Sequence, residues 1–106
     1  MFSFLFKKKE SDLTGTQFKN QLESDKSGLL LDVRTSSEFQ SGSIPKAKNI
    51  DFMSSDFKRK IAALDQSKTY YVFCRSGNRS GSAVSIMTKE GFKAYNLVGG
   101  IGAFPR

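Results

Sequence analysis

One cysteine stands between an apolar run and a loop that carries two arginines. The chain runs from Tyr70 to Phe73 into Cys74, its only cysteine, and continues as Arg75-Ser76-Gly77-Asn78-Arg79-Ser80 into an apolar pattern with helical spacing. This order predicts a buried strand, a tight loop and a helix that begins beside the thiol. Inward-pointing backbone N–H groups and the positive end of the helix dipole should lower the pKa of such a thiol, and the thiolate is the nucleophilic form. Arg75 and Arg79 add positive charge that suits an anionic substrate or intermediate.

The residue types that the chain lacks exclude several mechanisms. It has 106 residues, a formal net charge of +7, one cysteine and no histidine. Without histidine it cannot use a Ser-His-Asp or Cys-His mechanism, and one cysteine cannot supply an ordinary zinc site. We therefore expect no metal and no cofactor. A single cysteine also forms no internal disulfide, which favours a reducing compartment, the cytoplasm, and any sulfur held on Cys74 must pass to another molecule.

Apolar residues alternate between strand-like and helix-like patterns along the chain. This alternation predicts an α/β fold, a small doubly wound and mainly parallel sheet of about five strands with helices on both faces. The expected strands lie around Leu13 and at residues 29–33, 48–50, 69–73 and 94–98. The expected helices begin at Thr16, at Thr35, at Ser54 or Ser55, and directly after the cysteine loop. Ligands of such sheets bind beyond the carboxyl ends of the strands, which is where Cys74 lies.

Four motifs resemble those of the rhodanese family of sulfurtransferases and occur in that family's order. They are Leu31-Asp32-Val33-Arg34 with Glu38-Phe39, the segment Gly42–Ile50, the loop Cys74–Ser80 and the closing segment Leu97–Ile101. The resemblance implies a rhodanese-like domain over residues 11–106, preceded by an extension at residues 1–10. It also implies transfer of a sulfane sulfur from a donor such as thiosulfate to a thiophilic acceptor, cyanide or a thiol, through a persulfide on the cysteine.

The resemblance assigns roles to the residues near the cysteine. Cys74 would be the catalytic nucleophile, and the donor would be bound by Arg75, Ser76, Gly77, Asn78, Arg79 and Ser80. Asp32, Arg34 and Glu38 would support the loop from the tip of a neighbouring strand rather than take part in the reaction. We interpret Arg34 and Glu38 as an ion pair, and Glu38 also has the spacing of a capping box with Thr35.

Four positions differ from the family's usual residues. Ser43 stands where histidine is usual and Lys46 where glycine is common, while Ile101 and Phe104 stand where aromatic residues, often tryptophan, are common. None of the four lies in the cysteine loop. We therefore expect them to affect substrate fit and partner choice more than the chemistry.

The loop length favours sulfur transfer over two related chemistries. Four residues separate Cys74 from Arg79, whereas the phosphatases and arsenate reductases that resemble this fold have five, which enclose a larger space for a tetrahedral oxyanion. The two arginines also resemble those of the thiosulfate-using type of rhodanese. A sulfur-relay carrier or binding module that receives sulfur from a protein donor stays open as an alternative.

The charge pattern bears on the partners. A basic chain suits a small anionic sulfur donor, with a thiol or a protein as acceptor, and the absence of a nucleic-acid-binding motif favours no nucleic-acid partner. The basic run Lys58-Arg59-Lys60 is typical of a solvated helix face. The apolar segment Met1–Phe6 is too short to span a bilayer and lacks the pattern of a secretory signal. We favour the interpretation that this terminal segment is frayed or packed on the domain. Contact of Phe2–Phe6 with a membrane surface is the less favoured alternative.

Overall fold

The computed structural model describes residues 9–106, so the segment Phe2–Phe6 lies outside the described residues. Five parallel strands form one sheet in the order β1-β5-β4-β2-β3. The strands are β1 (Asp12–Leu13), β2 (Gly28–Asp32), β3 (Lys48–Asn49), β4 (Thr69–Phe73) and β5 (Lys93–Leu97). The helices are α1 (Gly15–Ser24), α2 (Ser36–Gln40), α3 (Phe57–Ala62) and α4 (Asn78–Lys89), followed by a 3-10 turn (Ile101–Ala103). The predicted α/β architecture is confirmed.

The sheet lies between two apolar cores, and its central strand, β4, is therefore buried on both faces. Successive side chains of a strand point to opposite sides, so Tyr70 and Val72 join the core beneath α3 and α4. Tyr71 and Phe73 join the core beneath α1, where Phe18 packs edge-on against Tyr71 with ring centroids 5.5 Å apart. Helices therefore cover both faces of the sheet. Within residues 9–106, no helix is both long enough and apolar enough to cross a membrane.

Side-chain caps decide where the first two helices begin. Helix α1 is capped by Thr14 rather than by the expected Thr16, because Thr14 and Gln17 each accept a hydrogen bond from the other's backbone N–H. This capping box satisfies two donors that would otherwise have no partner inside the helix. At α2 the expected box between Thr35 and Glu38 is confirmed.

The starts of α3 and β5 also differ from the sequence-based expectation. Neither Ser54 nor Ser55 is the N-cap of α3, because Asp56 occupies that position. The Ser54 hydroxyl donates a hydrogen bond to the Asp56 carboxylate. Strand β5 begins at Lys93, one residue earlier than expected, because Lys93 pairs with Thr69 at the start of β4. The first difference involves a local contact between residues two apart, and the second depends on strand pairing in the folded chain.

Lys46 adopts the left-handed backbone conformation, with φ at 75°, and is the one non-glycine residue with positive φ in the described part of the chain. It lies in the turn before β3, which is closed by a hydrogen bond from the Ala47 N–H to the Ile44 carbonyl. A side chain in this conformation costs roughly 1–2 kcal/mol relative to glycine. The lysine at this position, where the family commonly has glycine, therefore places strain in an exposed turn.

Gly100 allows the backbone of the C-terminal segment to contact the backbone of the cysteine loop closely. Its φ is 77°, and a Cβ atom built on it would lie 1.9 Å from the Arg75 carbonyl oxygen. The next residue, Ile101, donates its N–H to the Cys74 carbonyl over 2.8 Å. Only glycine combines the left-handed conformation with so close an approach of two backbones. The Gly-Gly motif therefore shapes the floor of the loop.

We expect Gly100→Ala to lower the free energy of unfolding by about 2 kcal/mol or more, because the added methyl group meets backbone and not a movable side chain. Urea unfolding measures this loss. The matched control is Gly102→Ala, since a Cβ atom on Gly102 would have nothing within 4 Å. Equal stability of the two variants would contradict the close approach described here.

Candidate active site

Cys74 directly follows β4 and lies fully buried at the floor of the loop that leads into α4. Its Sγ accepts hydrogen bonds from the Gly77 N–H at 3.0 Å, the Ser80 N–H at 3.4 Å and the Ser80 hydroxyl at 3.3 Å. Gly77 is the N-cap of α4 and has φ at 101°, which turns its N–H towards the sulfur. The loop and the first turn of the helix therefore surround the sulfur with donors.

These donors decide the protonation state of the thiol. Burial raises the pKa of Cys74, because it disfavours the charged form. The hydrogen bonds from the Ser80 hydroxyl and from the backbone N–H groups of Ser80, Gly77 and Ser76 act in the opposite direction and outweigh it. The pKa of Cys74 consequently lies below its ordinary value, and the nucleophilic thiolate is favoured.

Arg79 pairs with Glu38, and this corrects the expected ion pair between Arg34 and Glu38. The Arg79 guanidinium donates to both carboxylate oxygens of Glu38, with Nη1–Oε1 at 2.8 Å and Nη2–Oε2 at 3.2 Å. These bonds, together with the N–H of Thr35, hold the pKa of Glu38 at about 2. The pair joins α2 to the first turn of α4 and so braces the loop from the side.

Arg34 instead turns back onto Asp32, two residues earlier in the chain. Its guanidinium contacts both carboxylate oxygens, with Nη2–Oδ2 at 2.7 Å and Nε–Oδ1 at 3.0 Å. The same Nη2 donates to the Gly42 carbonyl over 2.7 Å. Asp32 is fully buried and Arg34 nearly so. A neighbouring carboxylate at this distance holds the arginine more strongly than Glu38, which contributes only a weaker, longer-range attraction.

Ser43 supplies another hydrogen bond to the same carboxylate. Its hydroxyl donates to Asp32 Oδ2 over 2.8 Å, in the position where the family usually has histidine. A hydroxyl does not change its charge between pH 5 and 8, whereas a histidine does. Ser43 therefore adds to the network around Asp32 and Arg34 a hydrogen-bond donor whose charge stays the same over this pH range.

Two asparagines that the sequence analysis did not single out hold this region together. Asn49 donates its side-chain amide to the carbonyls of Asp32 and Arg34, each over 2.9 Å. Asn96 donates to Asp12 Oδ1 over 3.0 Å and to the Gly77 carbonyl over 3.4 Å, and so ties the loop to β1 and β5. Both lie within predicted strands, and only the strand order shows what they face.

The remaining loop residues lie at the surface. Arg75, Ser76 and Asn78 are exposed, and Arg75 is in no ion pair among residues 9–106. Arg75 is therefore a free cation on the loop, while the guanidinium of Arg79 is already held by Glu38. Across the described residues, no cluster of three or more Cys, Asp or Glu side chains could hold a metal ion.

The chain belongs to the rhodanese-like domain family, whose model matches residues 14–105. It is 34% identical over 93 residues to "Putative sulfurtransferase YtwF" of Bacillus subtilis, covering 88% of each chain. It is also 34% identical to "Putative sulfur carrier protein YrkF" of the same organism, covering 79% of this chain and 45% of that protein. Among solved structures, a rhodanese-like domain protein from Staphylococcus aureus has a TM-score of 0.77 and 30% identity, with 90% of this chain and 91% of that chain covered. The family is one of sulfurtransferases and sulfur carriers.

We expect Ser80→Ala to raise the pKa of Cys74, because it removes the hydroxyl that lowers this pKa most. At neutral pH less thiolate would be present, so alkylation by iodoacetamide would be slower and its pH profile would move to higher pH. The matched control is Ser82→Ala on the exposed side of the same helix, which should leave the profile unchanged. An unaltered profile in Ser80→Ala would show that the hydroxyl does not stabilise the thiolate.

We expect Glu38→Gln to reduce stability at neutral pH by about 1–2 kcal/mol, a value discounted for partial exposure of the pair. The pKa of Glu38 is lowered from 4.5 to about 2 in the folded chain, so its contribution is complete above about 4.5 and is lost as the pH falls towards 2. The stability difference between wild type and Glu38→Gln should shrink over that window, as measured by urea unfolding at several pH values.

The control for this comparison is Glu23→Gln, whose carboxylate makes only a surface contact of 3.6 Å with Lys19. It should cost less at neutral pH. A stability difference for Glu38→Gln that does not change between pH 5 and pH 2 would contradict the lowered pKa.

Proposed function

We propose that this protein is a sulfurtransferase that carries a sulfane sulfur as a persulfide on Cys74, with thiosulfate or a similar small anion as donor. The observation that carries the proposal is the buried sulfur surrounded by N–H and O–H donors from Gly77 and Ser80. Such a set of donors stabilises an anionic sulfur, and both a thiolate and a persulfide carry one. Membership of a sulfurtransferase family supports the same chemistry.

The reaction has two displacements. In the first, the Cys74 thiolate attacks the outer sulfur of thiosulfate; a sulfur–sulfur bond forms to the cysteine, the original sulfur–sulfur bond breaks, and sulfite leaves with the electron pair. In the second, a thiophilic acceptor attacks the terminal sulfur and the cysteine leaves as thiolate. Cyanide would become thiocyanate, and a thiolate would become a persulfide. The thiolate form of Cys74 needs no general base, and the lowered pKa of Cys74 favours that form.

The two arginines take different roles in this proposal. Arg75 is exposed and free to contact the donor's charged oxygens. Arg79 is held by Glu38, so its main role is to position the loop, although its charge lies close enough to Cys74 for a thiolate there to raise the pKa of Arg79. This differs from the expectation that both arginines bind the donor directly. Thiosulfate would then rely on one exposed arginine together with the loop N–H groups.

A sulfur carrier fed by a protein donor is the second candidate, and two observations favour it. Arg75 is the one unpaired cation on the loop among the described residues, which is modest for binding a free dianion. One relative is also described as a sulfur carrier. We expect either function to operate in a reducing compartment such as the cytoplasm, with a thiol or protein as acceptor and without metal, cofactor or nucleic acid.

Intact mass spectrometry without reductant tests the persulfide directly. After incubation with thiosulfate, the wild-type chain should gain the mass of one sulfur atom, and cyanide should remove it. Cys74→Ser should show no gain while its circular dichroism spectrum stays that of the folded chain. Retained sulfur transfer in Cys74→Ser would overturn the mechanism.

A second donor separates the two candidates. If thiosulfate gives no adduct but a cysteine desulfurase with cysteine does, the protein is a carrier and not a thiosulfate sulfurtransferase. If neither donor loads the wild-type chain, the persulfide proposal fails for both candidates.

A further inference from the structure

We propose that the edge of β2 around Leu29 and Lys46 is a docking site for an acidic, extended peptide segment of a partner protein. This site, the Leu29 edge, lies at the start of β2, whereas Asp32 is the last residue of β2 and the cysteine loop follows the carboxyl end of β4. Binding there does not depend on the reaction proposed for the thiol. Four features of the edge support the assignment: incomplete strand pairing, apolar depressions, excess positive charge and backbone strain.

The sheet is incomplete at this edge. Strand β2 begins at Gly28 and pairs with β4 along its whole length, but its pairing with β3 covers only Leu31 and Asp32. Residues 28–30 therefore have a strand neighbour on one side only, within the part of the chain that the structure describes. An edge of this kind can receive an extended segment from another chain.

Leu29 is exposed at this edge, with 44% of its surface accessible. A depression of about 440 Å³ lies on the α3 side of the sheet and includes Leu64 and Tyr70. A second depression of about 430 Å³ lies on the α1 side and includes Leu22 and Phe104. Both are bordered by Leu29. Successive side chains of an extended peptide point in opposite directions, so two adjacent apolar residues could enter one depression each.

The charges around the two depressions are mainly positive. Lys46 borders both, and Lys48 and Lys68 border the first. Lys46 and Lys48 take part in no ion pair among residues 9–106. The two carboxylates nearby are already engaged, since Glu23 pairs with Lys19 and Asp65 accepts hydrogen bonds from Ser67. An acidic segment is therefore the complementary partner.

The strained backbone of Lys46 points to the same site. Its φ of 75° is one that glycine adopts without strain and lysine does not. Strain of this kind persists where the side chain has a use that offsets it. Lys46 is exposed and borders both depressions, so its ammonium group is placed to meet a carboxylate of a peptide lying across Leu29.

Replacing the strained Lys46 by glycine tests the proposal, because the stability of the protein should rise while its affinity for the peptide falls. The probe is a blocked hexapeptide, Asp-Glu-Val-Ile-Glu-Asp, titrated into the full chain labelled with ¹⁵N and followed by NMR. We expect saturable shifts at Leu29, Leu30 and Lys46 but not at Cys74. Lys46→Gly should raise Tm, because the strain is relieved, and should weaken peptide binding about fivefold, as expected for one lost charge contact.

Two matched controls make the outcome specific. Lys89→Ala removes the same charge from an exposed position on α4 and should leave binding unchanged. The peptide Asp-Glu-Ser-Thr-Glu-Asp keeps the charges but lacks the apolar pair, and it should bind more weakly. Equal weakening by Lys46→Gly and Lys89→Ala, shifts centred on Cys74, or no saturable binding would overturn the proposal. Identical shifts at Leu29 with a single-stranded oligonucleotide would overturn the peptide assignment.

Discussion

The rest of this structure depends on the hydrogen-bond donors that surround the buried sulfur of Cys74. Cys74 is fully buried at the end of a strand that is itself buried on both faces, and a charge in such a place requires donors. Gly77 and Ser80 supply them from the loop and the first turn of α4. Because the donors are mostly backbone groups, the sulfur keeps these hydrogen bonds only while the loop keeps one conformation.

The surrounding structure keeps the loop in that conformation from several directions. Beneath it, Gly100 lies against the Arg75 carbonyl and Ile101 bonds to the Cys74 carbonyl. At its side, Arg79 on the first turn of α4 is held by Glu38 on α2. Asn96 reaches the Gly77 carbonyl from β5. Residues remote from each other in sequence thus support one short loop, which is why the motifs of the family are spread over most of the chain.

Much of this could be predicted because local rules are strong at particular residues. The short aromatic and apolar run before Cys74 favours a buried strand, Gly77 permits the turn, and Thr35 with Glu38 has the spacing of a capping box. The ion pairs could not be predicted in the same way. Glu38 is four residues from Arg34 and forty-one from Arg79, so sequence distance favours the wrong partner, while the packing of α2 against α4 selects the correct one.

The amino-acid sequence by itself determined the candidate nucleophile, the absence of a histidine mechanism, the parallel α/β fold and the positions of most strands. These properties follow from residue identity and from patterns within ten or fifteen residues. Tertiary structure decided that Arg34 holds Asp32, that Arg79 holds Glu38, and that Asn49 and Asn96 connect the strands to the loop. Among residues 9–106 it also left Leu29 without a strand neighbour on one side, beside a strained Lys46. Arg34 and Asp32 are two residues apart, so the conformation of one turn joins them. The other contacts join residues far apart in the sequence, and strand order together with helix packing brings those residues side by side.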